Sequence, residues 1–157
     1  MKKLVNPYPE ESPCFGCSPS NPIGLHLHFF EDKEDIVCFW KPEMNYQGFI
    51  NVLHGGIQAT IMDEIASWTV MVKAKTAGVT SDMKIKYHKP LFMNKGEITI
   101  RSTIVEKQKR LLTIHARITD KDGCLCTEGW ISYFAFPEEI AKRKYYYPGV
   151  EKFYAKE

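Results

Sequence analysis

His54-Gly55-Gly56-Ile57-Gln58-Ala59-Thr60-Ile61-Met62-Asp63-Glu64 is the stretch on which the reading of this chain turns. A glycine pair opens an apolar helix and an acid follows two turns inside it. From Ile57 to about Lys75 there is no Gly or Pro, and Ala, Ile, Met, Gln and Lys dominate, so the segment is expected to be helical. Ile57, Ile61, Ile65, Trp68 and Val72 form one stripe, and Ala59, Met62, Ala66, Val70 and Met71 fill much of the remaining circumference. A helix apolar nearly all round is buried. A carboxylate on it must find partners, shift its pKa or look into a cleft, which singles out Asp63 and Glu64. At the helix start, Gly55 and Gly56 leave backbone N–H groups bare at the positive end of the dipole, where a developing oxyanion or a phosphate is favoured. The purely structural alternative has His54 capping the helix, the glycines permitting close packing and the two acids in ion pairs.

The flanking sequence supplies strands. Residues 1–23 hold Pro7, Pro9, Pro13, Pro19 and Pro22 and read as an irregular arm. Leu25–Phe30 alternates, with His26 and His28 on the polar face, and pairs as a hairpin with Ile36–Trp40 across the charged turn Glu31–Asp35. A long loop, Lys41–Leu53, leads into the helix; loops of this kind are often functional. Beyond the helix, Val79–Tyr87, Gly96–Val105, Leu112–Ile118 and Cys124–Phe136 read as strands, with Asp122-Gly123 as a tight turn. Strict alternation in Val79–Tyr87 puts Val79, Ser81, Met83, Ile85 and Tyr87 on one face and Thr80, Asp82, Lys84 and Lys86 on the other. The order, two strands, one long helix, four strands, is an α+β chain with a six-stranded, largely antiparallel sheet curled round one helix. The aromatic tail after Pro137 packs either on its own sheet or over a partner or substrate channel.

Bulk properties exclude several classes. With 157 residues, 44% hydrophobic and 25% charged, the chain is expected to be one globular domain over 1–157, with the tail at 137–157. A net charge of +2 gives no global field for nucleic acid. No apolar run of signal-peptide length follows Met1-Lys2-Lys3, so a cytoplasmic address without a membrane partner is expected. The five cysteines are expected to be reduced thiols. Cys14-x-x-Cys17 with Cys124 and Cys126 offers four thiols for zinc, but the second pair has the spacing of a strand and no metal is assigned.

The motifs together resemble the hotdog-fold acyl-CoA thioesterases, in the PaaI-like branch that includes the 4-hydroxybenzoyl-CoA type. In that family a His-Gly-Gly opens the central helix and an Asp or Glu nine positions after the His is the catalytic carboxylate; this position is Asp63, not Glu64. Cys14-Phe15-Gly16-Cys17 with Asn21-Pro22-Ile23-Gly24-Leu25 is similar to the N-terminal signature of one PaaI-like subgroup. Gly78-Val79-Thr80-Ser81-Asp82-Met83, followed by Tyr87 and Pro90, is similar to the strand after the helix. The resemblance implies that Asp63 acts as base or nucleophile and that Gly55 N–H, with Gly56 as a further donor, binds the thioester oxygen. His54 belongs to the same substrate-binding end, and Thr80 matches a hydroxyl that assists the carboxylate or its water; its plainer role is that of a good strand former. Relatives commonly carry an amide six residues before the motif His, where this chain has Gly48; Gln47, one residue off, is favoured as the substrate-binding amide over Asn51, which is nearer the helix.

Thioester hydrolysis needs no cofactor. Gly55 and Asp63 lie roughly 10 Å or more apart along one helix, too far to grip one carbonyl. The resemblance therefore implies a homodimer with shared active sites, and a tetramer of two such dimers. Lys84, Lys86, Lys89, Lys107, Lys109 and Arg110 are available to the phosphates of an acyl-CoA substrate, and Trp40, Tyr46, Phe49 and Trp68 to an acyl pocket, aryl or alkyl. The alternatives are a non-catalytic acyl-CoA or acyl-carrier binding protein, and a hydratase or dehydratase, which would want a catalytic His facing an acid. Fold alone does not choose among them.

Overall fold

Alternating apolar residues build a sheet whose inner face needs one apolar partner, and the helix that begins at the glycine pair supplies it. The computed structural model describes residues 1–155. The strands are β1 (Lys2–Lys3), β2 (Phe29–Asp32), β3 (Asp35–Trp40), β4 (Gly78–Tyr87), β5 (Ile98–Gln108), β6 (Leu111–Thr119) and β7 (Leu125–Ala135), with helices α1 (Gly55–Lys73) and α2 (Glu138–Tyr145). They form one antiparallel sheet in the order β1-β2-β3-β5-β6-β7-β4. The hotdog expectation holds, with one correction: the sheet has seven strands, not six, because Lys2–Lys3 in the supposedly irregular arm pairs with Phe30–Glu31.

α1 lies across the inner face, against β3 to β7. Ile61, Met62, Ile65 and Ala66 are fully buried and share a core with Ile36, Cys38, Ile100, Ile114, Ile118 and Ile131. The polar groups in this core are paired: Gln58 donates to Leu53 O at 2.9 Å and accepts from Thr127 Oγ1 at 2.5 Å, while Thr69 and Ser102 share a 2.5 Å hydroxyl contact. Such pairs are what make burial of a polar side chain tolerable.

Two strands differ from their expected form. The alternation at Leu25–Phe30 buries Leu25, Leu27 and Phe29 and exposes His26 and His28, yet the ladder begins only at Phe29. His26 is left-handed at φ 52, and Leu25 and Leu27 donate instead to Phe15 O and Gly16 O. The arm is thereby laid along this segment. In β4, the register slips between Thr80 and Asp82, leaving Ser81 as a bulge. Met83 pairs with the inward Ile131 and Thr80 with the inward Tyr133, so Thr80 shares the helix-facing side with Met83 and does not face away from it. A bulge of one residue reverses the side on which everything before it falls.

The tail packs on its own chain. Phe153 is fully buried edge-on to Trp68 at 5.3 Å, and Tyr147 donates to Met71 O at 2.8 Å. Lys156 and Glu157, the end of the expected tail, lie outside the described residues. No helix among the described residues is long and apolar enough to cross a membrane.

Candidate active site

α1 starts as the sequence suggests, but its first turn is already half capped. His54 is the N-cap, in extended conformation at φ −56, ψ 132, and its Nδ1 accepts the Gly56 N–H at 2.9 Å. This corrects the expectation for Gly56: its donor is committed within the chain. Gly55 N–H has no acceptor among the described residues. A Cβ at Gly55 would meet the Tyr87 ring at 3.5 Å, an ordinary contact, so nothing within the chain demands a glycine there. Tyr87, at the end of β4, donates its hydroxyl to Gly55 O at 2.8 Å and so ties the helix start to the strand.

Two turns further on, Asp63 is half-buried and well oriented. Its Oδ1 accepts from Thr80 Oγ1 at 2.6 Å and lies 2.9 Å from the Tyr133 hydroxyl, which is also 3.0 Å from Asp63 O. Burial holds the Tyr133 hydroxyl far above its ordinary pKa, so it stays a donor. Oδ2 has no partner among the described residues, and Asp63 is in no ion pair there. One oxygen is thus fixed and the other is free to accept a proton or attack. The sheet supplies both partners: Thr80 through the β4 bulge and Tyr133 through its inward position on β7. Tyr133 was missed from the sequence because only the β4–β7 register connects it to Asp63; inward alternation in the last strand was its one visible signal.

Gln47 and Asn51 are now distinguishable. Asn51 is left-handed at φ 62, and its Oδ1 accepts from Asn94 N at 2.9 Å, pinning the loop to the segment after β4. Gln47 Oε1 accepts Asn51 N–H at 3.1 Å, while the rest of Gln47 lines a cavity of about 330 Å³ with His54, Gly56, Ile57 and Thr60. Glu64 points elsewhere: it accepts from Trp68 Nε1 at 3.1 Å and faces Cys14, and burial, followed by the Cys14 thiol, pushes its carboxyl up to about 7. Trp68 is no pocket wall, being stacked on Phe29 at 4.6 Å in the core. Phe49, at 87% exposure, is free to meet a ligand.

The single-chain spacing leaves Gly55 and Asp63 at opposite ends of β4. Gly55 is held by Tyr87 at its end and Asp63 by Thr80 at its beginning. β4 is also an edge of the sheet, pairing among the described residues only with β7, and it is ten residues long with Val79 and Tyr87 exposed. The opposite edge, β1, is two residues long. At the Thr80 end stands a basic turn: Ala135, which pairs with Gly78, donates to Arg110 O at 2.7 Å, and Lys107, Lys109 and Arg110 line a depression of about 200 Å³.

Comparison with known proteins gives the family of the chain. A sequence model of the thioesterase superfamily matches residues 50–127, which carry the whole His54 to Thr80 constellation. Acyl-coenzyme A thioesterase 13 of Mus musculus is 33% identical over 98 residues, 61% of this chain and 69% of that protein. The Homo sapiens protein of the same name is 30% identical over 96 residues, 60% of this chain and 68% of its own. Among solved structures, thioesterase superfamily member 2 from Mus musculus superposes with a TM-score of 0.62 at 29% identity, covering 69% of this chain and 82% of that one. A Streptococcus mutans protein crystallised with acetyl CoA has a TM-score of 0.64 at 16% identity over 71% of this chain and 90% of its own, a likeness of fold. On these matches the chain belongs to the thioesterase superfamily and has its hotdog fold.

Proposed function

We propose that this protein hydrolyses acyl-CoA thioesters to the free acid and CoA, at sites shared between two copies of the chain. The observation that carries the reading is the Asp63 carboxylate, held through Oδ1 by Thr80 and Tyr133 with Oδ2 unpartnered among the described residues. In the hydrolysis, a water oxygen bonds to the thioester carbon as its proton passes to Asp63 Oδ2. The negative charge on the carbonyl oxygen is met by Gly55 N–H, and collapse breaks the C–S bond, the CoA sulfur leaving with the proton. Direct attack by Oδ2, followed by hydrolysis of the mixed anhydride, uses the same groups. The Gln47 amide, His54 and the Gly56 backbone form the wall beside the thioester, and Gly55 is the oxyanion donor.

Support for the shared site comes from β4. A two-fold pairing of this edge with its own copy is antiparallel, and centring it on Lys84, with Ser81 as the extra residue of the bulge, sets Thr80 of one copy opposite Tyr87 of the partner subunit. Asp63 of one copy then faces Gly55 of the partner subunit, which removes the separation along one helix. The same pairing covers a long open edge, which natural sheets do not leave bare. The basic turn Lys107–Arg110 stands at the Thr80 end, where the phosphates of CoA would meet it.

The direct test is a panel of short, long and aryl acyl-CoAs with detection of the freed thiol. Turnover of at least one class is expected. Saturable acyl-CoA binding with no thiol release would replace the enzyme by a ligand-binding protein. Within the site, Thr80→Val keeps the shape but removes one hydrogen bond to the carboxylate. A charge-assisted bond of this kind is worth about 1.5–3 kcal/mol, so kcat should fall about 10- to 10²-fold as the carboxylate loses its orientation, while Tm drops by no more than about 10 °C and the chain stays folded at the assay temperature. An unaltered kcat would mean that Tyr133 alone orients Asp63.

A further inference from the structure

Cys14, Cys17 and Glu64 meet on the arm-facing flank of α1, and the hydrolytic groups have no use for them. Their ligand atoms all lie within 4.8 Å of one another. The turn Cys14–Cys17 is closed by Ser18 N–H to Cys14 O at 3.1 Å, and Cys14 Sγ stands 3.5 and 3.6 Å from the two Glu64 oxygens. Gly16 makes the approach feasible, since a Cβ there would lie 2.5 Å from Glu64 Cδ. Outside this trio, Trp68 Nε1–H donates to Glu64 Oε1 at 3.1 Å, and the Asn6 amide reaches Cys17 Sγ at 3.5 Å and Cys17 O at 3.4 Å. Glu64 takes part in no ion pair among the described residues. A carboxylate set into the fold beside two thiols, with no Lys or Arg to answer it, is a concentration of donors lacking a cation.

We propose that Cys14, Cys17 and Glu64 ligate a zinc(II) ion that ties the N-terminal arm to the middle of α1. Two thiolates and a carboxylate suit zinc and disfavour the hard cations magnesium and calcium, which want oxygen alone. Bonds of about 2.3 Å to sulfur and 2.1 Å to oxygen at tetrahedral angles put neighbouring donor atoms about 3.6–3.8 Å apart. The Cys14 to Glu64 edge already has that length. Trp68 and Asn6 are the orienting partners that metal ligands characteristically have. Binding releases one proton from each thiol to solvent, and with three protein ligands the fourth position falls to water. This revises the sequence reading in both respects: a metal is assigned, and its third ligand is Glu64, not Cys124 or Cys126. Those two lie near Asp120 at the β6–β7 turn, where Asp120 Oδ1 accepts Cys124 N–H at 3.0 Å.

The test uses the full chain, reduced and stripped with a chelator, then given zinc or, as a spectroscopic probe, cobalt(II). About one zinc per chain should survive gel filtration, and cobalt should give thiolate-to-metal charge-transfer absorption. Cys14 is exposed, so Cys14→Ser leaves the packing in place. That variant should lose the charge-transfer intensity and weaken zinc binding by more than the roughly 10²-fold typical of losing an outer partner. Cys124→Ser, also exposed, should bind as the unaltered chain does. A reduced chain with native circular dichroism that takes up no cobalt charge-transfer band overturns the proposal. So does zinc that binds Cys14→Ser and the parent chain equally well, or a Cys14–Cys17 disulfide whose reduction restores no metal affinity.

Discussion

Asp63→Asn is expected to lower kcat for acyl-CoA hydrolysis by about 10²- to 10⁴-fold, the contribution usual for a positioned base. The variant isolates chemistry from structure because of how the carboxylate is held. Oδ1 accepts from Thr80 and lies within reach of Tyr133, and the asparagine carbonyl can occupy the same place. The amide NH₂ then falls where Oδ2 was, replacing an acceptor by a donor at the one point where a proton must be received. Asp63 is in no ion pair among the described residues, so its charge removal strands no cation. Thermal unfolding should therefore change little while free-thiol release falls steeply. Equal rates for the variant and the parent chain would remove Asp63 from the chemistry.

Gly55→Pro should cost about 10²- to 10³-fold in kcat, the loss associated with one oxyanion donor. Few positions let a backbone N–H be deleted without unfolding its element, and this is one of them. Gly55 is the first residue of α1, where proline is tolerated because the N–H has no partner within the helix. His54 before it sits at φ −56, ψ 132, the extended region that a following proline requires. A Cβ at the site meets only the Tyr87 ring at ordinary distance. The prediction is thus a folded protein with an unshifted or slightly raised Tm that has lost turnover, measured by thiol release alongside thermal melting. A fully active Gly55→Pro would place the oxyanion elsewhere.

Much of this site was readable because it is local. The helix, its His54 cap and the spacing from His54 to Asp63 all lie within one element, where sequence distance is spatial distance. What escaped the sequence was set by register or by long-range closure. A period of two has no symbol for an extra residue, so the bulge at Ser81 put Thr80 on the wrong face, and only the resemblance paired its hydroxyl with the carboxylate it contacts. Tyr133 reaches Asp63 from 70 positions away, and Cys14 reaches Glu64 across 50. Trp68 belongs to the apolar stripe of the helix and was also available to an acyl pocket, and its packing on Phe29 and on Phe153 from the tail decides for the core. Which of the two glycine donors the His54 cap takes was not visible, since a glycine pair advertises both and only the His54 rotamer decides that it is Gly56 N–H.

The claim on which the rest depends is that each site takes its aspartate from one copy and its oxyanion donor from the other. Co-refolding equal amounts of Asp63→Asn and Gly55→Pro chains measures this directly. Random pairing makes half the dimers mixed, and each mixed dimer holds one site with both groups intact, so activity should return to about a quarter of the parent level. If each site is built within a single chain, every site in the mixture lacks one group, and the mixture will show only the average of its two crippled parents.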